Sequence, residues 1–382
     1  MKAVIAIDSF KGSLTSEESG RAVREALLSV YPDSVGIICP LADGGEGTVS
    51  AVCSSGRGKK YEARVTGPLG EPVTAEYCVM DDGTAVIEIA EAAGLTLVPE
   101  HLRDPLNTTT YGVGELICHA VKQGCRRFIV GLGGSATNDG GAGMLSALGF
   151  GLLDREDKPV SSGARGLSQL SHITLEGALP ELSECSFRVA SDVRNPLCGP
   201  LGSSRVFGPQ KGGTAELTEK MDSWLSAFAS LTAEALGADF STAAGAGAAG
   251  GLGFAFLAYL GAELESGIEV ITELVGLPEH IRDADLVVTG EGRLDGQSCM
   301  GKAPVGVAAL AKKYGKPTVA FAGAVTADAP MCNSFGIDAY FPIVSSPITL
   351  AEAMDSTVAY GNLKNMAEQV FRLMRASGFL VK

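Results

Sequence analysis

The sequence has no basic block: its 30 Lys and Arg residues are outnumbered by 44 Asp and Glu, for a formal net charge of −14. Nucleic acid and anionic membrane surfaces both select positively charged proteins, so we expect neither as a partner. A small anionic ligand can still bind where the few basic side chains are gathered locally.

The nine cysteines are odd in number and include no Cys-x-x-Cys pair, which gives no support for a zinc or iron–sulfur site and favours a reducing cytoplasm. The apolar run at residues 3–7 is too short for the core of a signal peptide. Residues 240–262 carry no charge, yet their first half is rich in Gly and Ala and predicts a loop before a buried helix, not a membrane span.

Several catalytic motifs are missing. No Gly-x-x-x-x-Gly-Lys-Ser/Thr occurs, which excludes a P-loop kinase, and no Gly-x-Gly-x-x-Gly follows the first strand, which weakens a dehydrogenase hypothesis. A Ser-His-Asp triad is also poorly supported, because there is no Gly-x-Ser-x-Gly elbow and the histidines, His101, His119, His172 and His280, lie outside the glycine-rich loops.

Glycine is abundant instead, with 50 residues, many of them in turns after apolar runs. The richest stretch, residues 131–141, follows a predicted strand at 127–130 and precedes a predicted helix that begins at Ala142. Such a turn lets the backbone approach a ligand, and the helix behind it offers N–H groups to an anion. The alternative is a tight connection whose glycines only allow positive φ.

Parallel strands are predicted at both ends of the chain. The apolar run 2–7 is followed by a helix that starts with a Thr15–Glu18 capping box, and then by a second apolar run at 34–39. Ligands collect at the carboxyl ends of such strands, which here carry Asp8, Ser9, Lys11, Asp43 and Glu46. The acidic residues could equally cap helices or turns.

The pattern changes near Tyr61, where alternating runs indicate antiparallel hairpins, and returns to parallel near Asp285. The segment 286–289 predicts a strand ending in a loop at 290–297, and 350–375 predicts one long final helix. We therefore expect an α/β protein of two domains: residues 1–60 plus 285–382 form a doubly wound parallel sheet, and residues 61–284 form an inserted α/β domain.

The loops at these strand ends hold carboxylates, single basic residues, hydroxyls and backbone amides. This inventory matches phosphoryl transfer, in which positioning and charge neutralisation dominate and Mg²⁺ is held by a few carboxylates.

Six segments taken together resemble the bacterial glycerate kinases of the glycerate 2-kinase type: residues 8–13, 42–48, 131–141, 207–212, 245–251 and 289–293. The resemblance implies ATP-dependent phosphorylation of D-glycerate, most often at the 2-hydroxyl. It also implies a flavodoxin-like domain that carries an inserted domain resembling the restriction-endonuclease fold.

On this reading each motif position receives a role from its chemistry. Lys11 and Arg293 hold the carboxylate of glycerate, with Ser9 nearby, because a small anion in an acidic protein needs local cations. Asp192 is the candidate base for the accepting hydroxyl, and Lys211 neutralises charge on the transferring phosphate.

The loop residues Gly133, Gly134, Ser135, Ala136, Thr137 and Asn138 are expected to cradle the phosphates of ATP. Asp43, Glu46 or Asp295 would hold Mg²⁺. As a set these residues are expected to line a cleft between the two domains, although each could instead be a helix cap or an ion pair.

Two other functions stay open at the level of sequence. A two-domain binding protein that closes on a small acid would also use strand-end loops. A glycerate 3-kinase, or a kinase of a related hydroxy acid, would use the same pocket with the substrate rotated. The sequence does not decide whether the chain is a homo-oligomer.

Overall fold

A computed structural model describes residues 1–42 and 44–378 of the chain. The chain divides into two compact units. Unit 1 comprises Met1–Asp43, Ser50–Arg57 and Ile268–Lys382, and unit 2 comprises Gly44–Val49 and Gly58–Gly267. Each unit has its own sheet and its own apolar core.

The strands, in chain order, are β1 (Lys2–Ile7), β2 (Val35–Ile38), β3 (Gly58–Thr66), β4 (Pro72–Met80), β5 (Thr84–Glu88), β6 (Arg127–Gly131), β7 (Gly151–Leu153), β8 (His172–Thr174), β9 (Ser186–Ala190), β10 (Glu263–Glu265), β11 (Leu286–Leu294), β12 (Thr318–Val325) and β13 (Ala339–Pro342).

The α-helices are α1 (Ser16–Val30), α2 (Thr48–Ser54), α3 (Ala90–Ala93), α4 (Tyr111–Lys122), α5 (Ala142–Ala147), α6 (Ala164–Leu167), α7 (Ser203–Phe207), α8 (Ala215–Leu236), α9 (Ala248–Leu260), α10 (Gly267–Leu274), α11 (Leu277–Arg282), α12 (Ala303–Lys313), α13 (Leu350–Met354) and α14 (Ser356–Ala376). Short 3₁₀ turns lie at Leu95–Leu97, Glu100–Leu102, Pro180–Glu184, Pro209–Lys211, Ser298–Met300 and Ala329–Phe335.

Unit 1 is built on a parallel sheet of strand order β13-β12-β11-β1-β2. Both faces of the sheet are covered. Val319 and Phe321 of β12 belong to the cluster shared with α1 and α14, whereas Ala320 and Ala322 belong to the cluster shared with α12. Burial on both faces explains why these strands read as continuous apolar runs.

The start of unit 1 follows the predicted pattern. Lys2–Ile7 is a strand, and α1 begins after Thr15, whose hydroxyl accepts from the N–H of Glu18 while the Glu18 carboxylate accepts from the N–H of Thr15. The capping box predicted from the sequence is therefore confirmed.

Unit 2 contains a mixed sheet of order β10-β9-β6-β5-β4-β3. The β3–β4 and β4–β5 pairs are antiparallel, and β5, β6, β9 and β10 are parallel. This confirms the hairpin pattern predicted after Tyr61 and the strand predicted before residue 131. The core of the unit contains stacked and edge-on aromatic rings: the ring centroids of Phe128 and Phe187 lie 4.8 Å apart, and those of Phe228 and Phe254 lie 5.5 Å apart.

Two element boundaries differ from those predicted. The final helix is interrupted at Asp355, which adopts extended backbone and accepts the N–H groups of Thr357 and Val358, so that it caps α14 and ends α13. β11 continues to Leu294, because residues 290–294 keep pairing with β12, so the expected loop 290–297 is half strand. Among residues 1–42 and 44–378, no helix combines the length and the apolar character needed to cross a bilayer.

Candidate active site

A cavity of about 470 Å³ opens in unit 1 at the carboxyl ends of β1 and β11. Ile7 pairs with Gly290 across these strands, so the next residues, Asp8 and Glu291, lie at the same edge of the sheet. The polar lining of the cavity consists of Asp8, Ser9, Lys11, Ser13, Glu291, Arg293, Asp295, Gln297 and Lys302. The predicted substrate residues Ser9, Lys11 and Arg293 are thus brought together in one cavity.

Lys11 and Arg293 come from two neighbouring segments. A Cβ atom on Gly292 would lie 3.5 Å from the Cα of Phe10 and 3.6 Å from the backbone nitrogen of Lys11, so these segments touch. Arg293 is paired with Asp295, at 3.3 Å between Nε and Oδ2, but its side chain is 66% exposed. An exposed pair of this kind is worth about 0–1 kcal/mol, so the guanidinium can exchange it for another anion.

The acidic groups of the cavity differ in how their oxygens are used. Asp295 accepts the N–H groups of Gln297 (2.9 Å) and Ser298 (3.2 Å) with Oδ1. Glu291 is buried and accepts from the Ser298 hydroxyl with Oε1. Burial raises the pKa of the Glu291 carboxyl, while Ser298 and the nearby charges of Lys302 and Lys11 act to lower it.

Unit 2 has its own cluster of polar groups at a strand end. Glu88, Gly131 and Ala190, the last residues of β5, β6 and β9, lie side by side in the register of three parallel strands. The residues that follow them therefore emerge at one edge of the sheet. They include the glycine-rich loop after β6 and Asp192 after β9.

Glu88 fixes the segment Gly44–Val49 to this edge. Its carboxylate accepts the N–H of Gly47 at 3.1 Å and that of Val49 at 2.5 Å, at the start of α2. Burial raises the pKa of Glu88 to about 7. The charges of Glu91 and Glu46 also raise this pKa, and the two backbone donors act to lower it. A carboxylate at a helix N-terminus also stabilises the helix.

The glycines of the loop permit close backbone contact. A Cβ on Gly131 would lie 2.3 Å from the carbonyl oxygen of Gly44, and one on Gly133 would lie 2.4 Å from the Cα of Gly45. Gly134 adopts φ +75° and is exposed. No group in the described part of the chain accepts from the N–H of Gly133, Gly134 or Ser135. Three successive amides therefore remain available to an anion.

The helix after the loop, α5, was predicted to offer open amides to a ligand, and the structure differs from this prediction. The buried carboxylate of Asp139 accepts the N–H of Gly141 at 3.1 Å and that of Gly143 at 3.2 Å, together with the N–H and hydroxyl of Thr110 at 2.9 Å. Asp139 thus caps the start of α5. Burial raises the pKa of Asp139, and the hydrogen bonds from Thr110, Gly141 and Gly143 act to lower it. A ligand of this loop must bind before Asp139, not at the helix.

Lys211 is a structural neighbour of the loop. It is 2% exposed, and its Nζ donates to Ser135 Oγ at 2.8 Å and to the carbonyl oxygen of Thr137 at 2.6 Å. Burial lowers the pKa of Lys211 to about 7, opposed by the charge of Asp139.

The other predicted residues of the loop are buried as well. Thr137 and Asn138 have no exposed surface, and the Asn138 side-chain amide donates to Ser204 Oγ at 2.8 Å. Ala136 donates its N–H to the carbonyl oxygen of Ala93. These residues hold the loop in place, whereas Gly133 and Gly134 form its accessible part.

Asp192 lies just beyond β9 and is exposed. Its Oδ1 accepts from Ser266 Oγ and from the N–H of Gly267, both at 3.0 Å, so its carboxylate has a fixed orientation. Glu46 is exposed in the same unit, directly after the two glycines that touch the loop. Asp43 lies outside the described residues.

Four polar residues at these two strand ends did not receive roles from the sequence: Glu88, Asp139, Glu291 and Lys302. Glu291 had a usable signal, since it follows an apolar run as Asp8 does. Glu88 is a single carboxylate inside the apolar stretch 85–90, which is another recognisable sign. Asp139 binds Thr110, which is 29 positions away, and Lys302 follows a 3₁₀ turn, so neither could be assigned without the fold.

Comparison with known proteins identifies the family. A family model described as "Glycerate kinase family" matches residues 3–375. The chain belongs to the glycerate kinase family. A family member named "Glycerate 2-kinase" from Escherichia coli (strain K12) is 48% identical over 383 residues, covering 99% of this chain and all of its own.

Other relatives agree. A "Glycerate kinase" of Bacillus subtilis (strain 168) is 48% identical and covers 94% of both chains. A crystal structure from Salmonella typhimurium LT2, described as that of a glycerate kinase 2, matches with a TM-score of 0.88 and 45% identity over 100% of both chains. The mixed α/β architecture is therefore that of a solved family member.

Proposed function

We propose that this chain transfers the γ-phosphoryl group of ATP to the 2-hydroxyl of D-glycerate, giving 2-phosphoglycerate and ADP. The main support is the cavity of unit 1, which Lys11 and Arg293 both line at the end of a parallel sheet. The chain is otherwise acidic and belongs to the glycerate kinase family. The relative named for 2-phosphorylation supports the choice of hydroxyl.

The carboxylate of glycerate binds to Lys11 and Arg293 in this proposal. The guanidinium offers a planar pair of donors, and Lys11 adds a compact charge from the neighbouring segment. Ser9, which lies between the strand end and Lys11 and lines the same cavity, supplies a hydroxyl to the bound acid.

The phosphates of ATP bind to the loop Gly133–Asn138 in this proposal. The amides of Gly133, Gly134 and Ser135 are the contacting groups, while Ala136, Thr137 and Asn138 hold the loop rigid. Lys211 donates to Ser135, and a bound phosphate would favour its charged form, which burial alone disfavours. Donors fixed before the reaction stabilise developing charge without reorganisation.

Asp192 is the proposed base for the hydroxyl of glycerate. It is exposed at a strand end, and its carboxylate is oriented by the Ser266 hydroxyl and the N–H of Gly267. A carboxylate that accepts or orients the acceptor hydroxyl is sufficient for phosphoryl transfer, since most of the catalysis is positioning.

Mg²⁺ is the proposed cofactor. Mg²⁺ in kinases is held by one or two carboxylates plus phosphate oxygens, so the lack of a three-residue acidic or His/Cys cluster among the described residues does not oppose it. Glu46 fits, because it is exposed beside the glycine loop. Asp295 fits less well, since its Oδ1 already accepts two backbone N–H groups. When bound, the ion neutralises charge on the nucleotide phosphates.

The finer architecture is also a proposal. The strand order of unit 1, counted within the unit, is 2-1-3-4-5, which supports a flavodoxin-like domain formed by residues 1–60 plus 285–382. The inserted domain, residues 61–284, is proposed to resemble the restriction-endonuclease fold. The nine free cysteines support a cytoplasmic location, and size-exclusion chromatography with light scattering would decide between a monomer and a homo-oligomer.

The proposed reaction is tested by ³¹P NMR of the product formed from ATP, Mg²⁺ and D-glycerate. We expect the resonance of 2-phosphoglycerate, growing in step with that of ADP. A resonance of 3-phosphoglycerate would show instead that the chain phosphorylates the 3-hydroxyl, as a glycerate 3-kinase does. Binding of D-glycerate without any turnover would instead support the small-acid binding protein and overturn the proposal.

A further inference from the structure

Glu291 is a carboxylate without a role in the proposed reaction, although it lines the same cavity as Lys11 and Arg293. It is 8% exposed and lies within β11, so its backbone is fixed by pairing with Ala322 of β12. The carboxylate is therefore held rigidly at the wall of a small polar cavity.

The two oxygens of Glu291 differ. Oε1 accepts from Ser298 Oγ, and no group among residues 1–42 and 44–378 donates to Oε2. Oε2 is accessible from the cavity, so a hydroxyl group bound there can reach it and donate to it. Burial raises the pKa of the Glu291 carboxyl, and the positive charges of Lys302 and Lys11 act against that rise. In its charged form Glu291 has only acceptor atoms.

The chemistry of glycerate determines what this acceptor can bind. The acid has one carboxylate, which Glu291 would repel, and two hydroxyls, one of which receives the phosphoryl group. The remaining hydroxyl is the donor that fits. This step rests on the proposed function, because it requires glycerate in the cavity of unit 1.

We propose that Glu291 is a specificity residue that accepts a hydrogen bond from the glycerate hydroxyl that is not phosphorylated. For transfer to the 2-hydroxyl, the group recognised is the 3-hydroxyl. Sites that hydrogen-bond a substrate hydroxyl with a buried group reject analogues that lack it, by far more than sites that only exclude bulk.

The test uses three acids with ATP and Mg²⁺. D-Glycerate has both hydroxyls, D-lactate lacks the 3-hydroxyl, and 3-hydroxypropionate lacks the 2-hydroxyl. We expect kcat/KM of the wild type for D-lactate to be at least about 100-fold below that for D-glycerate, the range expected for losing one or two hydrogen bonds to a charged group.

Glu291→Ala should lower kcat/KM for D-glycerate by about 100-fold and that for D-lactate by less than about 3-fold, so the two substrates converge. Glu291→Gln keeps the shape and should give a smaller loss, about 10-fold, again on D-glycerate alone. Glu25→Gln, an exposed carboxylate of α1 paired with Lys364, is the matched control and should leave both values unchanged.

Equal losses on D-glycerate and D-lactate would overturn the proposal, because they would show a structural or proton-transfer role for Glu291. The proposal would also be overturned if the ratio of kcat/KM for D-glycerate to kcat/KM for D-lactate were the same in both variants as in the wild type. If Glu291→Ala fails to fold, the ratio measured for Glu291→Gln decides the matter.

The failure of the proposed function is visible separately. If the wild type makes 3-phosphoglycerate, the proposed regiochemistry fails, and the comparison is made with 3-hydroxypropionate in place of D-lactate. Glu291 would then have to discriminate against that acid for the inference to hold.

Discussion

Lys211 allows a quantitative prediction, because it is a nearly inaccessible lysine whose pKa burial lowers from 10.5 to about 7. We expect Lys211→Met to make the stability of unit 2 less dependent on pH above 7. Methionine has a similar length and no titratable group, so the comparison isolates the proton of the lysine.

The sign follows from where the proton is held. The unfolded chain keeps Lys211 protonated up to about pH 10.5, whereas the folded chain keeps it so only below about 7. Between these values the unfolded state binds more protons, so the free energy of unfolding rises with pH. Below pH 7 both states are protonated and this dependence disappears.

The magnitude follows at about 1.4 kcal/mol for each pH unit. The whole window is worth about 5 kcal/mol, and the part between pH 7 and pH 9 is worth about 2 kcal/mol. Absolute stability at one pH is less informative, because Met also leaves Ser135 Oγ and the carbonyl of Thr137 without their donor, at about 1–3 kcal/mol each.

The assay is urea unfolding at pH 7, 8 and 9, followed by fluorescence of Trp224. The chain has one Trp, and it packs partly buried on the core of unit 2, so the signal reports the unit that contains Lys211. Lys220→Met, at an exposed lysine of α8, is the control. Parallel stability curves for wild type and Lys211→Met would refute the reasoning.

Three further predictions concern the site and the loop. Lys11→Met and Arg293→Met should each raise KM for D-glycerate by about 10-fold or more in steady-state kinetics, since each removes a charge-assisted contact. An unchanged KM would exclude the binding of the glycerate carboxylate by Lys11 and Arg293. Asp192→Asn should lower kcat by about 100-fold or more with unchanged thermal stability, and a loss of only a few-fold would exclude it as the base. Gly131→Ala should lower the free energy of unfolding by more than about 2 kcal/mol, measured by urea unfolding, because the added methyl group meets a backbone oxygen. As a contrast, Gly361→Ala in α14 should raise the free energy of unfolding by about 0.5–1 kcal/mol, because its methyl group meets nothing within 4 Å.

Much of the fold could be predicted because its signals are local. The strand at 2–7 is a continuous apolar run, and Thr15 and Glu18 cap the next helix across only three residues. The break of the last helix at Asp355 was missed, since helical periodicity continues on both sides of it. Only the extended backbone of Asp355 and its bonds to two amides reveal the interruption.

The cavity of unit 1 could be predicted in part for a geometric reason. Carboxyl ends of adjacent parallel strands share an edge, so Ser9, Lys11 and Arg293 could be grouped without knowing a single distance. Lys302 could not, because it follows a 3₁₀ turn whose path no periodicity describes. The strand order, in which Ala3 of β1 pairs with Leu286 of β11, was not predicted, because no local pattern links two segments so far apart in the chain.

The glycine loop shows where sequence reasoning stops. Hydroxyls and amides at 135–138 are the residue types that bind phosphate, and they are equally the types that anchor a loop. Their partners decide between these roles, and the partners are distant: Lys211 is 76 positions from Ser135, Ser204 is 66 from Asn138, and Thr110 is 29 from Asp139. Ser135, Asn138 and Asp139 are buried, and each is held by one of these partners, so their side chains anchor the loop. They fix the loop beside Gly133 and Gly134, whose N–H groups have no acceptor among the described residues, and donors fixed in this way are what a preorganised phosphate site requires.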